Sequence, residues 1–184
     1  MPLQRDMTGL PPSAIVVMGV SGCGKSTLAA HLAAHLACPA LDGDDFHAAA
    51  SIAKMRAGQP LADADRWPWL DRLGGAVGAA VVREGIAVAA CSALKRSYRE
   101  RLETTAKVPL LFVLLDGDRD DIAAHLAERG GHYMPPSLID SQFAALERPA
   151  ADERAITLAA YRPAEALCAD ALAWARNAVR LYAR

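Results

Sequence analysis

A chain of 184 residues with 53% hydrophobic but only 5% aromatic side chains is long enough for one sizeable core and short for two. That core must be built of Ala, Leu, Val and Ile, which suits helices packed closely on a sheet. The 20 basic and 21 acidic residues leave a net charge of −1, which excludes a global field for nucleic acid or an anionic membrane, so any anion is bound locally.

Met1 to Ser13 contains Arg5, Asp6 and Pro11-Pro12 with no apolar targeting core, and reads as a flexible N-terminal segment before a single domain over 14–184. No later apolar run reaches membrane-spanning length, and Cys23, Cys38, Cys91 and Cys168 form no C-x-x-C pair. A soluble cytoplasmic protein with reduced thiols is therefore expected, without a zinc knuckle or disulfide framework.

Ala14-Ile15-Val16-Val17-Met18 predicts a buried parallel strand, and Thr27 onward begins a helical pattern with Leu28, Leu32 and Leu36 in one stripe. Between them Gly19-Val20-Ser21-Gly22-Cys23-Gly24-Lys25-Ser26 fits G-x-x-x-x-G-K-[ST] without a mismatch. Strand, glycine loop and helix in this order form a phosphate cradle. The glycines let main-chain N–H groups from Gly19 to Thr27 turn inward, the helix N-terminus adds partial positive charge, Lys25 supplies a cation and the Ser26 hydroxyl can ligate Mg²⁺. Cys23 lies near that helix N-terminus and Lys25, a setting that would favour a thiolate, but an inert small side chain is the reading preferred for it.

A second chemical cluster follows the short strand at Ala40-Leu41: Asp42-Gly43-Asp44-Asp45-Phe46-His47. Carboxylates directly after a strand share the rim of an α/β sheet with the glycine loop. One of Asp42 and Asp44 can reach a Mg²⁺ shell while the other accepts a hydrogen bond from an acceptor hydroxyl. Asp45 reads as a helix cap.

Ser51–Ala57 predicts a short helix, and Asp63 or Asp65 caps the next, which runs to about Arg83 with Leu70, Leu73 and Val77 inward. Trp67 and Trp69 read as core, and Arg66 as a partner for a substrate carboxylate or a structural acid. Gly85–Cys91 is the third strand. After it Lys95, Tyr98 and Arg99 fall at i, i+3, i+4 on one face of a helix starting at the functional rim. No aspartate ends this strand, which argues against a motor or GTPase.

Pro109–Asp116 is the fourth strand, with Asp116 read as a loop acid or cap. Glu128 to Pro136 combines Arg129, a glycine pair and two prolines, a composition that suits a mobile lid at about 129–137, with Arg129 placed to neutralise charge in transfer. A helix over Ser137–Leu146, an edge strand over Ala155–Ala159 and a final helix opened by Pro163 complete an α/β fold, a five-stranded parallel sheet with helices on both faces.

Together, Met18–Ser26, Leu41-Asp42-Gly43-Asp44, Lys54-Met55, Pro60-Leu61 with Asp63, Asp65-Arg66, Pro68-Trp69-Leu70, Cys91–Lys95 with Tyr98-Arg99, Gly131-His132 and Ser141-Gln142-Phe143 with Leu146-Glu147 and Pro149 resemble the P-loop gluconokinases, relatives of shikimate kinase and the nucleoside monophosphate kinases. The resemblance implies a P-loop NTP hydrolase fold that moves the γ-phosphoryl of ATP to the 6-hydroxyl of D-gluconate with Mg²⁺, and a homodimer, as is common in that family. Carried over by residue, it implies Lys25 and Ser26 on phosphate and metal, Asp42 as the metal-side acid, Asp44 as the hydroxyl acceptor and Arg129 as the lid arginine. It places His47, Arg66, Lys95, Tyr98, Arg99, His132 and Gln142 around the polyol and its carboxylate. The chain departs from the family pattern at Ala48, Ser51 and Tyr133. The competing readings are shikimate kinase, disfavoured because Cys91-Ser92-Ala93 stands where that family has three glycines, and a nucleotide-binding regulatory protein without catalysis.

Overall fold

The computed structural model describes residues 9–128 and 136–182. Five strands, β1 (Ser13–Met18), β2 (Ala40–Asp42), β3 (Ile86–Ala90), β4 (Leu110–Asp116) and β5 (Ala155–Ala159), form one sheet in the order β2-β3-β1-β4-β5. All four pairings are parallel. The chain starts at the centre, fills one edge, returns through β3 and then builds the other side. The strand order thus reverses beside β1, where α/β sheets open a crevice at their carboxyl ends. The expected edge strand has the predicted bounds, and the first strand begins one residue early, at Ser13.

Alternation along β1 explains the layering, because successive side chains point to opposite faces. Ile15 and Val17 join one buried cluster with α1 (Lys25–Leu36) and α7 (Ala164–Tyr182), through Leu28, Leu32, Leu167 and Ala171. Ala14, Val16 and Met18 join the other with α3 (Asp63–Glu84) and α4 (Arg96–Ala106), through Trp69, Leu73, Tyr98 and Leu102. The remaining helices are α2 (Ala49–Arg56), α5 (Arg119–Glu128) and α6 (Pro136–Ala145). Helices therefore cover both faces, as the continuous apolar strands require. The predicted lid span falls mostly outside the described residues, and Arg129 and His132 lie there.

Among the described residues α3 packs extensively on α4, and small residues make the close approach possible. A Cβ on Gly78 would lie 2.2 Å from the carbonyl oxygen of Ala106, and one on Gly74 1.9 Å from Thr105 Oγ1, whereas Gly75 has nothing within 4 Å. Gly75→Ala should therefore stabilise the chain by about 0.5–1 kcal/mol through helix propensity. Gly78→Ala should destabilise it by roughly 1–3 kcal/mol, because a backbone carbonyl cannot yield cheaply. Urea midpoints of the two variants, shifting in opposite directions, check this.

Candidate active site

The phosphate loop leaves β1 at Met18 and enters α1 at Lys25. Gly19 holds φ 139°, and a Cβ there would meet Leu115 O at 2.7 Å, so only glycine fits. Gly24, at φ 97°, is the N-cap of α1, and no side chain caps that end. The leading N–H groups of the helix, at Lys25, Ser26 and Thr27, are thus left for an anion. The Lys25 ammonium donates across the loop to Val20 O at 2.9 Å. Ser21 N–H is already engaged, donating to Gln142 Oε1 on α6 at 2.7 Å. Gln142 therefore braces the phosphate loop, whereas the resemblance implied a polyol contact.

Cys23 is 1% exposed. Burial pushes its thiol up in spite of Lys25, which agrees with the inert side chain and not with a thiolate. The residue serves the loop through its main chain and as packing.

Asp42 joins the two predicted clusters. Its Oδ2 accepts from Ser26 Oγ at 2.9 Å, and its Oδ1 accepts from Asp44 N–H at 3.0 Å. The second bond caps a 3₁₀ turn over Gly43–Phe46 that leaves Asp44 and Asp45 exposed. Three contacts fix this turn. A Cβ on Gly43 would lie 2.7 Å from Ala90 O, which brings the turn against β3. The indole of Trp69 donates to Gly43 O at 2.6 Å, and Arg72 donates twice to Phe46 O, at 3.0 and 2.7 Å. Trp69 and Arg72 were missed as functional support. Their spacing of one helical turn on α3 was visible, but nothing in the sequence told which backbone they would meet.

His47 follows the turn and stacks on Trp69 with ring centroids 4.2 Å apart and planes 14° apart. Its Nδ1 is buried without a hydrogen-bond partner. Burial, outweighing nearby Asp44, holds the imidazole below its ordinary value, with Arg66 and Arg72 adding to the effect.

A third group gathers on the same rim. Asp63, at the start of α3, accepts from Lys95 Nζ at 2.9 Å and from the Tyr98 hydroxyl. Lys95 and the Arg66 guanidinium each lie 5.5 Å from the Tyr98 ring centre, and Trp67 meets that ring edge-on. The hydrogen bonds from Tyr98 and Lys95 keep the Asp63 carboxyl below the usual carboxylate range, and burial raises the Tyr98 phenol. Of the two predicted caps, Asp65 is the one that returns to Ala62 N–H, at 3.0 Å, while also pairing with Lys54 at 2.7 Å. The three groups share one neighbourhood. The buried Cys91 thiol after β3, pushed up to about 12 mainly by burial, feels the charges of Lys25, Asp44 and Arg66 together.

Arg99 is a correction. α4 begins at Arg96, so Lys95 precedes the helix, and Arg99 turns inward instead of sharing a face with it. Its side chain is 2% exposed and pairs with Glu153 through Nε and Nη2. Nη1 donates to the carbonyls of Ala93, Leu94 and Glu147. With all three guanidinium nitrogens bonded inside and the side chain buried, Arg99 holds the β3–α4 junction and does not face the rim. Asp116, expected as a loop acid or cap, ends β4 and takes a two-pronged contact from Arg148 at 2.9 and 3.0 Å.

The donors fit Mg²⁺. Among the described residues no three His, Cys, Asp or Glu gather as a metal cage, but Mg²⁺ takes few protein oxygens and completes its shell with water and phosphate. The Ser26 hydroxyl beside the Asp42 carboxylate supplies such a pair.

A glycine loop that cradles phosphate, an oxygen pair for a hard cation and an acid turn on the same rim define a P-loop small-molecule kinase. A family model described as "AAA domain" matches residues 15–149. The chain is 45% identical over 141 residues to the thermosensitive gluconokinase of Escherichia coli (strain K12), covering 77% of this chain and 75% of that protein. It is 47% identical over 148 residues to the gluconokinase of Gluconobacter oxydans (strain 621H), covering 80% and 83%. The crystal structure of a gluconokinase from Sinorhizobium meliloti 1021 superposes with a TM-score of 0.83 at 41% identity, covering 94% of this chain and 97% of that one. The chain belongs to the gluconokinase family.

The depressed His47 makes stability depend on pH. The unfolded chain protonates this ring near pH 6.5 while the folded chain still holds it neutral. On acidification the unfolded state therefore takes up the proton first, and stability falls as pH drops through 6.5. His47→Phe, which keeps the stack, should flatten that part of the slope in thermal melts between about pH 7.5 and 5.5.

Proposed function

We propose that this chain phosphorylates gluconate with ATP, at the 6-hydroxyl, using the three groups on the rim for separate tasks. The observation that carries the reading is the Ser26–Asp42–Asp44 chain, which sets an acid beside the phosphate loop at the place where a transferred phosphoryl would emerge. Family membership supplies the activity and the substrate. Shikimate phosphorylation and a non-catalytic regulatory role find no comparable support among the relatives.

The main-chain amides of the α1 N-terminus and of the loop, other than that of Ser21, hold the triphosphate, and Lys25 leaves Val20 O to follow the charge of the phosphates. Ser26 and Asp42 would hold Mg²⁺, which supplies charge neutralisation to the phosphates when bound. Asp44, exposed on its turn, accepts a hydrogen bond from the attacking hydroxyl and orients it in line with the γ-phosphorus. Phosphoryl transfer asks mostly for positioning, so the rigid hold of Trp69 and Arg72 on this turn is part of the chemistry.

Arg66 and Lys95 provide the cationic side for the gluconate carboxylate, and Asp63 and Tyr98 keep Lys95 in place. His47, stacked on Trp69 beside the acid turn, keeps the acceptor-side role the resemblance implies. Arg129 and His132 keep the roles the resemblance implies, charge neutralisation and substrate contact. No helix among the described residues is long and apolar enough to cross a membrane. The four free cysteines suit the reducing, ATP-containing cytosol.

Two measurements test this reading. Coupled ADP release over gluconate, other sugar acids, shikimate and nucleoside monophosphates should give turnover with gluconate well above the rest, and a different preferred acceptor would overturn the substrate. Asp44→Asn should keep ATP binding nearly intact while lowering turnover by about two orders of magnitude or more, the contribution of a positioned general base. Unchanged turnover would remove Asp44 from the reaction.

A further inference from the structure

The apex of the phosphate loop is held from outside by three elements far away in sequence. Ser21 N–H donates to Gln142 Oε1 of α6 at 2.7 Å, 121 residues along the chain. Gly22 O accepts from the Tyr161 hydroxyl at 3.3 Å, in the connection between β5 and α7. The same glycine, at φ 85°, is packed by Leu126 of α5, whose Cγ would lie 2.6 Å from a Cβ there. A phosphate loop works by turning successive N–H groups toward one anion, and any peptide that rotates the other way presents a carbonyl oxygen to a negative charge. Ser21 N–H and Gly22 O are both taken up by side chains from outside the loop.

We infer that Gln142 is a positioning residue for nucleotide, holding the Ser21–Gly22 segment in its phosphate-ready orientation by accepting the Ser21 N–H, and that it does not contact gluconate. An amide suits this position for an electrostatic reason. A carboxylate would accept the same N–H, but it would place a full negative charge beside a triphosphate. Tyr161 is the weaker companion hold, since its bond is long and its residue is 39% exposed. The inference rests on the ATP-dependent reading of the loop, although its direct test, nucleotide binding, requires no acceptor.

Equilibrium binding of ATP, measured calorimetrically without gluconate, is the direct test. Gln142→Ala should weaken ATP binding by about two- to tenfold, the range of one net hydrogen bond, and leave the KM for gluconate unchanged. Gln142→Glu should weaken it further at low salt, with the extra loss shrinking as salt screens the added charge. A role confined to packing would lower the melting temperature of the nucleotide-free protein in both variants without this salt-dependent difference, and would overturn the inference. So would a raised KM for gluconate with unchanged ATP affinity, which would return Gln142 to the acceptor site. If the wild-type protein binds ATP but consumes none with gluconate, the proposed substrate falls while the Gln142 result still stands or falls by its own binding data.

Discussion

The Asp42 carboxylate is the joint on which the site turns. One oxygen accepts the hydroxyl of Ser26, at the start of the nucleotide-binding helix, and the other accepts the N–H of Asp44, on the turn that carries the proposed base. Without that shared anion the two stretches would be independent loops at the end of a sheet, and the distance between cation and base would be set by chance. The joint works because β2 ends at Asp42 in register with Ala90 of β3. The short edge strand thus delivers the carboxylate to the rim, and the buried Gly43 lets the turn press onto the neighbouring strand.

Supporting structure divides by helix. α1 presents its uncapped amides to phosphate and contributes Ser26. α3 reaches the acid turn through Trp69 and Arg72 and the acceptor side through Asp63. α4 and the segment before β5 lock the β3–α4 junction through the buried Arg99–Glu153 pair. That pair costs much to desolvate, and it persists because three carbonyls and a two-pronged carboxylate engage all three guanidinium nitrogens. Lys95 sits at the exposed end of the junction so anchored, so an interior ion pair sets where a rim cation stands.

Much of this was legible beforehand. The glycine loop has a spacing whose chemistry depends on backbone alone, and the strands are continuous apolar runs, so fold and phosphate site followed from local pattern, whereas that pattern left open which of Asp42 and Asp44 stands beside Ser26. What local pattern does not hold is the identity of long-range partners. Arg99 and Lys95 looked equivalent by helical periodicity, but the helix starts after Lys95 and a glutamate 54 residues beyond Arg99 captures its side chain. Cys23 has charged neighbours in the sequence, but the burial that keeps its thiol neutral belongs to the folded chain. Gln142 carried no charge or periodic signal at all, and only the folded chain reveals that it meets Ser21.

The separation of duties between α1 and α3 has a consequence for how such a protein can change over time. Nucleotide handling hangs from one helix and the carboxylate side from another, and they touch chiefly through a single aspartate. Drift at Asp63 and Arg66, clear of the Trp69 and Arg72 that hold the acid turn, can therefore retune which small acid the proposed site accepts while the ATP machinery is inherited untouched.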